Sequence, residues 1–299
     1  MLSRRKFLNA VSAAAVVAVS PASLVAKQRL LPTRLIPGTE EAMPIIGMGM
    51  SAAFRSGDRE ASWSVMKPFQ DYGSKYIDVS GSGRFVVADI VRDKGLRDSV
   101  FLGSYFSAAN DVASRSDARR LLEMTGKDSL DLMHAYPENA APNWDVMRRW
   151  KSDGLTRYIG VARQNQRHYD AMMGLMDTGT VDFLQVNYSL FETEAENRIL
   201  PMAMDKGVAV TINRPFINGQ YFGLVRGHEL PSWAADFDCE SWAQFALKFI
   251  LAHPAVNCVL TETANPKHAL DNLGAGFGRL PDEKERQRML ALVRSFGPS

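Results

Sequence analysis

The chain has 299 residues, 46% hydrophobic and 23% charged, with 22 Gly and 14 Pro, the make-up of a globular protein long enough for one large α/β barrel or two modest domains. Disorder, collagen-like repeats and a polytopic membrane protein are excluded. Lys and Arg (35) nearly balance Asp and Glu (33), and no basic cluster lies beyond the first few residues, so nucleic acid is not an expected partner.

Residues 1–26 open Met-Leu-Ser-Arg-Arg-Lys-Phe-Leu, run apolar from Ala10 to Val19, and end in small residues around Ser20-Pro21-Ala22 and Leu24-Val25-Ala26. A basic start, an apolar stretch too short to span a bilayer and a plausible cleavage point predict a secretory signal. The pair Arg4-Arg5, with Ser3 before it and Phe7-Leu8 after it, resembles a twin-arginine export signal, whose machinery carries folded proteins. The expectation is a mature domain over residues 27–299, with no membrane span, in the periplasm or otherwise exported. Without Arg4, Arg5 and Lys6 the 35 basic residues fall just below the 33 acidic ones, so the chain's slight basicity belongs to the signal.

From Met43 onward, short β-branched or apolar runs alternate with segments of helical period, the pattern of a parallel sheet with crossover helices. The runs are Pro44–Met48, Tyr76–Ser80, Val100–Phe106, Leu130–His134, Arg157–Val161, Phe183–Asn187, Val208–Ile212 and Val256–Leu260. Eight such strands close a (β/α)8 barrel. Between them, Trp144, Met147 and Trp150, and Trp242, Phe245, Ala246, Phe249 and Ile250, repeat at three and four, one apolar face per helix. Asn143 reads as an N-cap and Gly154 as a stop. Residues 281–296 read as a closing helix with Met289, Leu292, Val293 and Phe296 on one stripe.

A doubly wound nucleotide-binding sheet is the rival architecture, but Gly47-Met-Gly49 lacks a third glycine and a helix directly behind it. The Gly/Pro/aromatic-rich connection from Asn213 to Cys239 is unusually long and is therefore expected at the site. Cys239 and Cys258 are too few for a disulfide framework, and Cys258, inside a strand, reads as a buried thiol. The five histidines are scattered without ligand spacing, so no metal site is expected.

The order of short motifs resembles the aldo-keto reductases along nearly the whole mature chain. It rests on Pro44-Ile-Ile-Gly-Met-Gly49, Tyr76-Ile-Asp-Val-Ser80, Val100-Phe-Leu-Gly-Ser104, and Leu130-Asp-Leu-Met-His134 with Pro137. It continues through Gly154-Leu-Thr-Arg-Tyr-Ile-Gly160-Val161, Val181 to Leu190, Gly207-Val-Ala-Val with Pro215 and Gly219, and Asn265-Pro266 with Asn272. The resemblance implies a (β/α)8 barrel and reversible hydride transfer between NADP or NAD and a small carbonyl or alcohol, with an acid tyrosine, a lysine, an aspartate and a histidine at the strand ends.

Carried over by position, the aspartate is Asp78 and the histidine is His134. Gly83 stands where the family has its tyrosine, and Tyr105 where it has its lysine. Of the nicotinamide-holding residues only Gln185 survives, the Ser-Asn pair having become Ala162-Arg163. The stacking aromatic falls near Asn213, with Arg214 beside it. Toward the cofactor's far phosphate the positions read Glu262, Thr263, Lys267, His268 and Asn272, and a carboxylate facing a phosphate is repulsive.

Three readings of these departures stay open. A rearranged reductase would use Tyr105, hydrogen-bonded to His134, as the replacement acid, although a phenol near pKa 10 is a poor acid without a nearby cation. A repurposed barrel would hold a small anionic or sugar ligand, with Arg163 and Arg214 as anion partners, or run non-redox acid/base chemistry on Asp78 and His134. On the blandest account Tyr105 is an aromatic plug and the two arginines salt-bridge Asp78 and Glu262, while Arg84 or Arg163 replaces the lost lysine beside Asp78. Tyr136 is a further candidate to stack on a ligand.

Overall fold

A computed structural model describes residues 29–106 and 111–296; the expected export signal lies outside them. Eight strands form a closed parallel barrel: β3 (Ile46–Met48), β4 (Tyr76–Asp78), β5 (Phe101–Phe106), β6 (Leu130–Ala135), β7 (Thr156–Ala162), β8 (Phe183–Asn187), β9 (Ala209–Asn213) and β10 (Val256–Thr261), with β10 pairing back to β3. Every expected run overlaps one of them. Two further strands, β1 (Thr33–Leu35) and β2 (Ala42–Pro44), make an antiparallel hairpin ahead of the barrel. The predicted strand Pro44–Met48 is therefore divided, its first residue in the hairpin and its last three in the barrel.

Two-residue periodicity sets which side chains fill the barrel. Tyr76, Phe101, Leu132, Phe183, Ala209, Cys258 and Leu260 form an interior cluster that Ile36 and Met43 of the hairpin close from below. The alternate residues, such as Ile77, Leu102, Val161, Leu184 and Val210, face the helices in the larger outer core. Arg34 ties the hairpin down by donating to the carbonyl of Leu251 at 2.6 Å and to that of Val256.

The helices start where the chain supplies caps. Asp58 accepts from Ala61 N before Arg59–Asp71, Ser241 from Gln244 N before Trp242–Leu251, and Asn265 from Lys267 N before Pro266–Gly274. Asp282 and Glu285 form a capping box on the closing helix Glu283–Arg294. The expected cap at Asn143 is incorrect. The helix runs Pro137–Ser152, with Pro137 in its first turn and Asn143 well inside, because a proline whose fixed φ suits a helix start sets the boundary before any polar cap is reached. Beyond Ser152, Gly154 has φ +76° and ends the helix as predicted. Cys239 and Cys258 are both free and buried. Among the described residues no helix is long and apolar enough to cross a membrane.

Candidate active site

The C-terminal strand ends open into a pocket of about 620 Å³ whose lining includes Asp78, Tyr105, Gln185 and Asn213. These four are inward-facing positions of β4, β5, β8 and β9, and barrel closure makes them converge. The Tyr105 hydroxyl lies 2.7 Å from both Asp78 Oδ2 and Gln185 Oε1, and Gln185 Nε2 donates to the same Asp78 oxygen at 2.8 Å. A phenol has one proton, so Tyr105 donates to one of its two acceptors at a time. Asn213 Nδ2 donates to Gln185 Oε1 and to the Arg163 carbonyl, each at 3.3 Å. Asp78 Oδ1 and Asn213 Oδ1 are buried without a hydrogen-bond partner. Burial, reinforced by the Asp78 charge, pushes the Tyr105 phenol well above its usual range, so it stays protonated through the neutral range.

His134 differs from expectation. It is fully buried at 0% exposure, is not among the pocket-lining residues, and neither ring nitrogen has a hydrogen-bond partner. Its contact with Tyr105 is between rings, with centroids 5.4 Å apart, rather than the predicted hydrogen bond. The register pairing Tyr105 with His134 and His134 with Gly160 explains this. The imidazole lies over Gly160, where a Cβ would come within 2.6 Å of Nδ1, while the Tyr105 hydroxyl is taken by Asp78 and Gln185. Burial lowers the His134 pKa, with Asp78 opposing, and the ring is neutral.

Gly83, at the position where the resemblance implies a tyrosine, has little free space around it. A Cβ on Gly83 would sit 2.1 Å from Met50 Cε and 3.0 Å from Phe54 Cβ. Met50 lines the pocket and fills the room a larger side chain would need. Sequence reasoning missed it; its one signal was its place directly after the first strand-end motif, Gly47-Met-Gly49.

The arginines are paired, but not to the partners expected. Arg84 pairs with Asp117. Arg163 pairs with Glu138, its Nε 3.0 Å from Oε2, and its guanidinium lies 4.0 Å over the Tyr136 ring. Arg214 pairs with Glu192 at 3.1 Å and reaches the Gln164 carbonyl at 3.4 Å. None of the three bonds Asp78 or Glu262, because Glu138 starts the helix above β6 and Glu192 follows β8, nearer neighbours of the two loop tops. Glu138 was legible as an acidic residue in a helix's first turn; Glu192 carried no sequence signal. Tyr136 and Tyr105 also pack, with ring centroids 5.5 Å apart.

The long connection after β9 supplies Arg214, Pro215, Phe216, Asn218, Gly219 and Phe222 to the pocket wall. Arg214, Ile217 and Asn218 all have φ between 51° and 53°, a left-handed conformation uncommon outside glycine and a strain that clusters at functional sites. Phe216, Phe222, Glu262 and Thr263 also border a second pocket of about 340 Å³, lined further by His268, Asp271 and Asn272. Thr263 Oγ1 accepts from Asn265 N at 3.0 Å, and Asn265 lies 3.4 Å from His268 Nε2. Asn272 is buried, while Lys267 is exposed and is not among the lining residues. Partial desolvation in the pocket wall raises the Glu262 carboxyl from its usual range, with Arg55 opposing, while the residue keeps an exposed side. Among the described residues no group of three or more His, Cys, Asp or Glu is placed to hold a metal ion.

The model of the aldo/keto reductase family matches residues 46–288. An NADH-specific methylglyoxal reductase of Escherichia coli K12 is 25% identical over 127 residues, 40% of this chain and only 38% of that relative. An aldo-keto reductase of Mycolicibacterium vanbaalenii is 25% identical over 261 residues, 81% of this chain and 86% of its own. The crystal structure of an aldo/keto reductase from Klebsiella pneumoniae in complex with NADP and acetate superposes with a TM-score of 0.69 at 22% identity, covering 87% of this chain and 94% of the other. That likeness carries the fold.

Proposed function

The chain belongs to the aldo/keto reductase family, and from that membership we propose that it is a nicotinamide-dependent oxidoreductase for a small carbonyl or alcohol, with Tyr105 as the hydroxyl that meets the substrate oxygen. One observation carries the reading. A protonated phenol, held at 2.7 Å by Asp78 and Gln185, lies in the wall of the pocket where the barrel's reaction would occur.

The chain's residues fit an elongated cofactor. Two adjoining pockets share a wall and lead from buried amides to a helix start. The unpartnered Asn213 Oδ1 is an acceptor for a carboxamide N–H. Gln185 and Asn213 would hold the nicotinamide end, and Thr263, His268 and Asn272 the far end, with Lys267 at the edge; bound, the cofactor supplies the hydride. With substrate bound, the Tyr105 proton turns from Asp78 or Gln185 to the substrate oxygen and orients it. Its raised pKa makes it a weak acid, so proton delivery is slow beside that of a phenol next to a cation. Glu262, bordering both pockets, disfavours a phosphate dianion, so NADH is the expected preference over NADPH.

A second reading, a redox-silent barrel that binds a small anionic or sugar ligand, is favoured by Met50 occupying the space at Gly83. Acid/base chemistry on Asp78 and His134 has no such support, since His134 is sealed beneath Tyr105. Export by the twin-arginine machinery, with the folded protein carrying its ligand to the periplasm, accompanies either reading and rests on Arg4-Arg5. The test is titration of the mature protein with NADH and NADPH, followed by fluorescence and thermal shift. Binding that Gln185→Ala weakens about tenfold supports the oxidoreductase; no binding at millimolar cofactor removes it and leaves the ligand-binding barrel.

A further inference from the structure

Resting on the reductase reading of the same pocket, we propose that the substrate carries a carboxylate beside its carbonyl or hydroxyl group, held by Arg163 and Arg214. Arg163 and Arg214 both line the pocket that Tyr105 lines. Their loops are drawn together from both sides, by Asn213 Nδ2 on the Arg163 carbonyl at 3.3 Å and by Arg214 on the Gln164 carbonyl at 3.4 Å.

Each arginine is oriented before any ligand arrives. Glu138 and the Tyr136 ring fix Arg163. Glu192 fixes Arg214 and is itself held by Asn187 Nδ2 at 3.0 Å. A pre-oriented fork loses little entropy on binding an anion. The Arg214 Nε–H is buried without a hydrogen-bond partner, and an unmet buried donor calls for an acceptor. A neutral carbonyl compound offers that donor little, whereas a carboxylate offers two charged oxygens in a geometry that guanidinium matches.

The surroundings are not a positive field: Asp78, Glu138, Glu192 and Glu262 face Arg55, Arg163 and Arg214, so the carboxylate is held by direct bonds from the two oriented guanidinium groups and not by net charge. The strained backbone at Arg214, φ +53°, is a cost maintained at the position the anion would meet. A short oxo acid therefore fits, its carbonyl at Tyr105 and its carboxylate at the arginines. Reduction adds a hydride to the carbonyl carbon and a proton to its oxygen, the hydride being the one the proposed nicotinamide supplies and the proton coming from Tyr105 or solvent. The carboxylate is unchanged, and the reverse reaction oxidises the hydroxy acid.

The test uses the mature full chain at fixed ionic strength, with calorimetric titration of oxalate and separate fluorescence titration of NADH. Oxalate is expected to bind, and Arg163→Gln and Arg214→Gln each to weaken it about tenfold or more. Arg226→Ala, an exposed charge on the same connection, should not change it, and NADH affinity should hold in Arg163→Gln and Arg226→Ala. With NADH present, pyruvate should exceed pyruvamide in kcat/KM by at least about tenfold, and that preference should vanish in the glutamine variants. Circular dichroism checks folding, and Arg214→Lys stands in if Arg214→Gln does not fold. Absent oxalate binding, equal binding by the variants, or equal turnover of acid and amide overturns the proposal. NADH binding without oxalate binding removes the carboxylate site alone, and oxalate binding without NADH binding removes the reductase reading instead.

Discussion

The two ends of the barrel use similar residue types to opposite ends. At the N-terminal end, the hairpin residues Ile36 and Met43 close an apolar interior of Phe101, Leu132 and Phe183. The charges around it are satisfied: Asp131 bonds Leu102 N at 2.8 Å, Arg157 at 2.8 Å and Lys127 at 3.1 Å, and Arg157 also pairs with Glu41. At the C-terminal end, one phenol faces two acceptors, Asp78 Oδ1 and Asn213 Oδ1 stand without partners, and three non-glycine residues hold left-handed φ angles. The charges are paired at one end and polar atoms are left unmet at the other, with the buried Tyr76 hydroxyl the unpartnered group of the apolar cluster between them; a barrel separates stability from chemistry in this way.

The sharpest way to break that contrast is at the closed end. Phe183→Ala removes a fully buried ring and should cost about 3–5 kcal/mol in urea unfolding, leaving NADH affinity within about twofold in the fraction that stays folded. A drop in affinity as large as the drop in stability would show the two ends to be coupled.

Tyr105→Phe acts at the open end. Turnover should fall about a hundredfold or more, while stability changes by only about 1 kcal/mol, since Gln185 Nε2 still donates to Asp78 at 2.8 Å. Unchanged turnover would make Tyr105 the aromatic plug of the bland account.

The smallest effect is a pH slope from His134. Its folded pKa lies below the ordinary 6.5, so below that value the unfolded chain binds the extra proton and the folded chain does not. Stability should therefore fall as pH drops through 6.5 toward the lowered folded value and be independent of this group above it. His134→Gln should lose this part of the slope. With the imidazole and the Tyr105 phenol both outside their titration ranges, kcat should show no ionisation from either between about pH 7 and 9. A bell-shaped profile there would require another titrating group.

Much of the architecture was legible because it is local. Eight short β-branched or apolar runs marked the barrel strands; Asp78, Tyr105, Gln185 and Asn213 were singled out by carrying over the positions of the family the chain resembles, and the structure brings them together. The hairpin was missed because a three-residue strand beside another has no period of its own. The helix start at Pro137 was missed because a proline in the first turn was read as a motif residue rather than as a boundary.

The sequence by itself determined the eight barrel strands and the family, since each depends on residue type at fixed spacing. It also supplied the expected export signal, in residues 1–26. Only the tertiary structure decided who touches whom at the mouth. Tyr105 bonds Asp78 and Gln185, 27 and 80 positions away, rather than the neighbouring-strand His134, because barrel shear and the gap at Gly160 send the imidazole beneath the phenol. Met50 fills the room beside Gly83, and Glu138 and Glu192 take the arginines, because loops from different strands converge there. Distances between loop tops are fixed by closure of the whole sheet, and no local spacing encodes them.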